Sequence, residues 1–524
     1  MFKSIGLRNV RLFADPGYTF DLNKLTVFCG TNSSGKSTIL RSLLLLRQSQ
    51  GTSETYGKRA GILQFTGTQV DLGDYASFVT DRKSDRDIQI SITTERGRMP
   101  KPLAVSLLRS KGIQPDFNPR DTHVSYDLQS SFSFKSSKTI TGSQDDDKIK
   151  STAPSGILKE ALFNLILQEK PVASWSVSLV PPRGKAKRNS YRLSLPRDEI
   201  RQSDKDFLTL QTSNNTSDQR PITVEILLDG LLPYYAILRT TQTPQYQENR
   251  LTLPNHIGGA LRGFAMSLNQ IHYMAPLRAS SRRYYLANID LPPDLDPRGD
   301  FLPYLLSGII EEPKVRNIPP RGKRVLVQSL TKALNCWIAY LRTGTSFNVK
   351  SHPHELETTT TKGTLVEISL KSLVGSTKHS IIDSGFGYSQ VIPILVRGLM
   401  APVGSTFIVE QPELHLNPAL QVRLADFFIS MIRLGKQVIL ETHSEHIVNA
   451  IRARIANETS RYLSDNTIIY FIDVIKSKPV VHQMNVQEDG TLPKWPSNFF
   501  GEAATLTGEI LRAQIYHRKH TIET

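Results

Sequence analysis

A chain of 524 residues, 39% of them apolar and 8% aromatic, is too long for one compact core; it divides into roughly two to four structural units, which excludes a single small domain. No stretch approaches the roughly 18 uninterrupted apolar residues of a membrane span, and Met1-Phe2-Lys3-Ser4 lacks an apolar signal core, so a cytoplasmic protein with no membrane partner is expected. A formal net charge of +16 attracts polyanions, DNA or RNA among them, and serves equally to keep a surface soluble or to dock an acidic partner.

Phe2 to Phe13 alternates loosely and is followed by Asp15-Pro16-Gly17, which predicts strand, turn, strand. The next strand runs about Leu25 to Cys29, and a helix follows through Thr38 to Arg47 after a glycine loop. Cys29 sits in an apolar run and reads as a buried reduced thiol. With Cys336 as the only other cysteine, neither a disulfide nor a cysteine-rich metal site is expected. From about Ser110 to Arg220 the composition turns to Ser, Thr, Lys, Asp and Asn, with the block Asp145-Asp146-Asp147, and predicts a polar, partly disordered insertion. Short alternating runs around it, Ile88 to Ile92 and Thr223 to Leu228, predict an antiparallel lobe. Helical patterns follow at about Ile257 to Asn269 and Val325 to Leu341. Ser405 to Val409 and Gln437 to Leu440 are apolar runs separated by a helical stretch, Ala419 to Leu434, the texture of parallel strands covered on both faces. One α/β nucleotide fold is therefore expected to assemble from the two ends of the chain.

Gly30-Thr31-Asn32-Ser33-Ser34-Gly35-Lys36-Ser37 satisfies G-x-x-x-x-G-K-[ST] between a strand and a helix, with Thr38 next in the helix. Backbone N–H groups of such a loop surround phosphate, Lys36 reaches the β and γ oxygens of ATP, and the Ser37 hydroxyl coordinates Mg²⁺. Phe407-Ile408-Val409 delivers Glu410 as a metal carboxylate, followed by Gln411, Pro412 and Glu413. Val438 to Ser444 delivers His443 toward the γ-phosphate side. Asp383 to Gln390, small residues ahead of a helix, form an anion-binding nose or a plain loop capping a core helix.

Together these residues resemble the ABC-class ATPases related to RecF, SMC and the overcoming-lysogenization-defect proteins, in particular ATPases of bacterial anti-phage defence modules. Further stretches similar to that family are Val70 to Tyr75, Tyr273 to Arg278, Arg298 to Pro303, Glu410 to Pro418, Thr442 to Ile451 and Trp495 to Phe500. The resemblance implies an α/β fold: an ABC-type P-loop ATPase head with an antiparallel β lobe and an inserted polar and helical region. Residues 1–109 hold the amino-terminal part of the head, 110–220 the polar insertion, 221–375 the β lobe and helical region, and 376–524 the rest of the head with a carboxy-terminal lid. It also implies a homo-dimer or higher oligomer, with ATP between Lys36 of one subunit and the loop of the other. Ser384 and Gly385, or Gly387, Ser389 and Gln390, would meet the phosphate.

The sequence departs from the family in one respect. ABC ATPases follow the metal carboxylate with a catalytic glutamate, and here that position is Gln411, which cannot accept a proton. Glu413 or Glu441 takes over as base, or Gln411 and His443 orient water, and either slow hydrolysis or a nearly inert ATP-held dimer is expected. The functional expectation is a defence ATPase controlling a separately encoded effector such as a nuclease. The alternative is a RecF-like DNA-repair clamp, for which the basic groups at Arg183 to Arg188, Arg278 to Arg283 and Arg321 to Arg324 supply phosphate contacts.

Overall fold

A computed structural model describes residues 1–50, 60–137, 155–180, 190–196, 221–239, 248–279, 282–287, 296–300, 305, 312–320, 322–342, 346–354, 363–371, 378–384, 386–492 and 508–514. The elements begin with β1 (Phe2–Arg8), β2 (Tyr18–Asp21), β3 (Leu25–Gly30), α1 (Lys36–Gln48), β4 (Ile62–Leu63), β5 (Ile88–Pro100) and α2 (Lys101–Ser110). Strands then dominate: β6 (His123–Ser136), β7 (Gly156–Leu167), β8 (Lys170–Val180), β9 (Ser190–Leu195), β10 (Ile222–Asp229), β11 (Leu232–Arg239) and β12 (Glu248–Thr252). Next come α3 (Asn255–Asn269), β13 (Ile271–Met274), β14 (Tyr285–Ala287), β15 (Lys314–Asn317), β16 (Leu326–Ser329), α4 (Leu330–Leu341), β17 (Ser346–His354), β18 (Gly363–Lys371) and β19 (Lys378–Ser380). The chain closes through α5 (Phe386–Met400), β20 (Thr406–Glu410), α6 (Pro418–Arg433), β21 (Gln437–Glu441), α7 (Glu445–Ala456), β22 (Thr467–Ile475) and β23 (Lys478–Asn485).

The central sheet has the order β13-β20-β21-β3-β22-β23, parallel except for the antiparallel edge strand β23. The amino-terminal strand β3 thus lies between two strands from the carboxy-terminal end, as the paired apolar runs predict. All five residues of β20 and of β21 are buried because each face of the sheet meets its own core. Phe28, Ile408 and Ile439 belong to one hydrophobic cluster and Val27, Cys29, Val409 and Leu440 to the other, the period-2 alternation of a strand covered on both sides. The first cluster includes α1 and the large antiparallel sheet, the second α4, α5, α6 and α7. Cys29 is fully buried, and its thiol donates to the Tyr470 carbonyl at 3.2 Å.

The antiparallel sheet has eleven strands, ordered β12-β11-β10-β9-β8-β7-β6-β5-β1-β2 with β4 beside β7. The segment read as a polar insertion supplies four of them, β6 to β9. In β6 Val124, Tyr126, Leu128, Ser130, Phe132 and Phe134 point inward while the intervening polar residues are more exposed, so a strand that is serine-rich in composition is regularly amphipathic in pattern. Asp145 to Asp147 lie outside the described residues. Strands β10 to β12 extend the same sheet as β5, in line with the antiparallel lobe expected from the alternating runs at Ile88 to Ile92 and Thr223 to Leu228, while β14, β17, β18 and β19 form a four-stranded sheet of their own. The helix expected from Val325 begins at Leu330, because Leu326–Ser329 pairs with Lys314–Asn317 as a strand. Among the described residues no helix is long and apolar enough to cross a membrane.

Candidate nucleotide site

The Gly30–Ser37 loop links the end of β3 to the start of α1, at the carboxyl edge of the parallel strands where ligands collect. Gly30 has φ 129°, and a Cβ there would stand 2.0 Å from the Ile472 carbonyl oxygen. Gly35, at φ 96°, caps α1 with its backbone alone, and a Cβ would stand 2.9 Å from the Phe13 ring. Glycine at both positions lets the loop close tightly against β22 and Phe13. Asn32 and Ser33 are exposed, Ser34 is buried, and α1 has no acidic residue in its first turn, so no side chain of the helix's own first turn opposes its dipole as an anion site. The Lys36 ammonium is folded into the loop, donating to the carbonyls of Gly30 (3.2 Å) and Thr31 (2.5 Å) and to Ser34 Oγ (3.3 Å). Burial lowers its pKa against the opposing pull of Glu441. Thr38, one residue on, is buried in the first turn.

Two carboxylates close the other side. Strand register places Glu410, the last residue of β20, beside Glu441, the last residue of β21. Glu410 is held bidentately by Arg41 (Nε 3.1 Å, Nη2 2.7 Å) and accepts from Tyr273 Oη at 2.9 Å. Glu441 is 2% exposed; its Oε1 accepts from Ser37 Oγ at 2.7 Å, and its Oε2 is buried without a hydrogen-bond partner. Burial, reinforced by the Glu410 charge, pushes the Glu441 carboxyl up to about 7. An open, buried carboxylate oxygen next to the Ser37 hydroxyl fits a hard divalent cation such as Mg²⁺.

Gln411 turns the chain in the left-handed region, at φ 44°, and its N–H donates to the Glu441 carbonyl at 2.7 Å. Arg278, 6% exposed, lies beneath this turn and donates to the carbonyls of Glu410 (2.8 Å) and Gln411 (3.3 Å); burial pushes its pKa down to about 10. Glu413 is engaged on both oxygens, by Thr442 Oγ1 at 2.8 Å and by the His443 N–H at 2.6 Å, and so ties the β20 loop to the β21 loop. His443 is half-buried beside Gly30 and Lys36, and burial followed by the Lys36 charge lowers its pKa, which favours a neutral ring.

The structure thus gathers Gly30 to Thr38, Glu410, Gln411, Glu413, Glu441 and His443 around one loop. Arg41 and Tyr273, the clamp on Glu410, escaped the sequence reading. Arg41 was findable: it lies four residues after Ser37, on the same helical face. Tyr273 falls in a stretch recognised only as similar to relatives, and Arg278, expected at the head of a basic group facing nucleic-acid phosphates, is instead buried against the Glu410 and Gln411 carbonyls and unavailable to them. Of the loop before α5, Ser384 ends a short 3₁₀ turn at Ile381–Ser384, and Gly385 lies outside the described residues. Gly387, Ser389 and Gln390 fall in the first turns of α5, where Ser389 and Gln390 are each 5% exposed and Gln390 Nε2 donates to Ser389 Oγ at 3.3 Å. Gly387 borders a cavity of about 390 Å³ shared with Arg342, His415 and Arg423. Arg183 to Arg188, Ser280, Ser281, Arg321 and Trp495 to Phe500 lie outside the described residues.

The family described as AAA ATPase domain matches residues 1–171 and 332–448, more than half of the chain. The chain belongs to this ATPase family. Residues 464–510 of this ATPase also match a family described as protein of unknown function (DUF3696). No curated protein matches it. Solved structures similar to it include an SMC head bound to the C-winged helix domain of ScpA, at 12% identity and a TM-score of 0.35, covering 93% of this chain and 98% of that one. The SMC head domain from Thermotoga maritima is similar at 9% identity and a TM-score of 0.32, covering 92% and 98%. An SMC head with an extended coiled coil, bound to the C-terminal domain of ScpA from Pyrococcus furiosus, is similar at 9% identity and a TM-score of 0.34, covering 97% and 99%.

Proposed function

We propose that the chain is a slowly hydrolysing, Mg²⁺-dependent ATPase that acts as a dimeric or higher-order switch. The observation that carries this reading is the Gly30–Ser37 loop with Lys36 at its centre and Ser37 bonded to a buried carboxylate, in a member of the AAA ATPase domain family. ATP lies along the loop with its phosphates on the N–H groups of α1 and on Lys36, and Mg²⁺ is held by Ser37 and a carboxylate from the end of β20 or β21. Gln411 offers no base, so turnover is slow and bound ATP serves chiefly to hold the assembled state, with His443 and Gln411 orienting water. The Ser384 to Gln390 segment of a second copy covers the γ-phosphate. Similarity of the Val70 to Tyr75, Tyr273 to Arg278 and Thr442 to Ile451 stretches to ATPases of anti-phage defence modules supports a role in controlling a separately encoded effector, such as a nuclease, in the cytoplasm.

Purification together with the products of neighbouring genes, with and without ATP, tests the reading. ATP-dependent oligomerisation with co-elution of an effector is expected, and a monomer that elutes alone in both conditions refutes the switch. The +16 net charge favours a second reading, a RecF- or SMC-like clamp on DNA. That reading requires DNA affinity that falls about 10³-fold or more from 50 to 200 mM salt, and salt-indifferent binding removes it.

A further inference from the structure

Apart from Asp473, whose Oδ1 accepts from Thr31 Oγ1 at 3.0 Å, three glutamates lie beside the loop, and their partners separate them. Glu410 is fully engaged: Oε1 accepts from Arg41 Nε and Tyr273 Oη, Oε2 from Arg41 Nη2, and the guanidinium neutralises the charge. Glu413 accepts one hydrogen bond on each oxygen and is spent on joining two loops. Glu441 differs from both. One of its oxygens takes the Ser37 hydroxyl at 2.7 Å, and the other is buried with no donor. A buried carboxylate oxygen without a partner is unfavourable, and the nearby cations are committed elsewhere, Arg41 to Glu410 and Lys36 to the loop. A divalent cation is the partner that such an oxygen lacks.

Backbone geometry leads to the same residue. The Gln411 N–H donates to the Glu441 carbonyl at 2.7 Å, and Glu441 pairs with Glu410 across the strands. Because β21 stands between β20 and β3, Glu441 lies one strand nearer the loop than Glu410.

Resting on the ATPase reading above, we infer that Glu441, rather than Glu410, is the carboxylate through which this chain holds the nucleotide-bound Mg²⁺ with Ser37, and that Glu410 is a positioning residue locked by Arg41 and Tyr273. Glu441→Gln removes the charge and keeps an acceptor for Ser37; Glu410→Gln keeps the acceptor for Tyr273. ATP binding is measured calorimetrically in EDTA, and Mn²⁺ binding to the ATP complex by the loss of the free-ion electron paramagnetic resonance signal. Expected is a loss of Mn²⁺ affinity of about tenfold or more in Glu441→Gln, with ATP binding in EDTA retained. For Glu410→Gln the expected loss is no more than about threefold. Unchanged Mn²⁺ affinity in Glu441→Gln, or an equal loss in Glu410→Gln, overturns the assignment and leaves the ATPase reading standing. Wild-type protein that does not bind ATP overturns both. If Glu441→Gln does not fold, Glu441→Asp decides, because drawing the carboxylate back by one methylene is expected to weaken Mn²⁺ about threefold or more. Wild-type Mn²⁺ affinity in that variant overturns the assignment.

Discussion

Lys436 is 1% exposed, with its ammonium 2.6 Å from the Gly398 carbonyl and 3.3 Å from that of Leu399, in the last turn of α5. Among the described residues no carboxylate joins it, and its third contact is Met431 Sδ at 3.7 Å. Burial pushes its pKa down from 10.5 to about 7. Because this is a base depressed in the folded state, the unfolded chain binds one more proton than the folded chain between about pH 7 and 10.5. Stability therefore rises with pH across that window, and below pH 7, where both states are protonated, the full desolvation penalty is present. At about 1.4 kcal/mol per pH unit, the shift corresponds to about 5 kcal/mol, an upper bound for one site. Lys436→Met fills a similar volume beside Met431 and removes the charge, but leaves two helix-end carbonyls without a donor, about 1 kcal/mol each. The variant is expected to be about 3 kcal/mol more stable than wild type at about pH 6 and about 2 kcal/mol less stable near pH 10. Urea unfolding followed by Trp337 fluorescence, in chains with Trp175 and Trp495 replaced by Phe, measures this, since Trp337 packs on Phe427 in the core next to α5. Other titrating groups cancel in the difference between variant and wild type. A difference constant from about pH 6 to 10 to within about 0.5 kcal/mol refutes a buried cationic Lys436.

The nucleotide site gives three further expectations. Lys36→Ala removes a charged donor from the loop and is expected to weaken ATP binding by about 10- to 100-fold in calorimetry; unchanged affinity would place the phosphates elsewhere. Gln411→Glu supplies a base at a backbone conformation glutamate adopts as readily as glutamine. Phosphate release is expected to rise about 10²-fold, and an unchanged rate removes Gln411 as the limit on turnover. Arg41→Met leaves the Glu410 carboxylate, 1% exposed, with Tyr273 alone and is expected to destabilise by about 3 kcal/mol, whereas Arg41→Met with Glu410→Met recovers most of that loss in urea unfolding; additive losses refute the coupling.

What was legible in the sequence follows the range of the interactions. The Gly30–Ser37 loop, the buried runs ending at Glu410 and Glu441, and the helix of Pro418–Arg433 are local patterns, and each lies within a residue or two of its expected bounds. The four strands in residues 110–220 are invisible to composition and show only in the alternation of buried and exposed positions. In β6 serine occupies mostly the half-exposed positions, and two-residue periodicity survives a polar average. Leu326–Ser329 was absorbed into the helix after it because a four-residue strand carries no signal until Lys314–Asn317 pairs with it.

The site itself was legible as a set of residues and illegible as a set of partnerships. Nothing in the spacing of Glu410, Glu413 and Glu441 says which one Arg41 clamps, which one joins Thr442 to His443 and which one meets Ser37. Those choices depend on strand order: with β21 between β20 and β3, Glu441 stands closer to Ser37 than Glu410 does. Strand order arises from pairings more than four hundred residues apart in the chain, such as Val438 with Leu25. A substitution at Gln411 therefore cannot be judged from its own position. The Gln411 N–H is held by the carbonyl of Glu441, thirty residues downstream, so the conformation at this position is set by a strand that its local sequence does not contain.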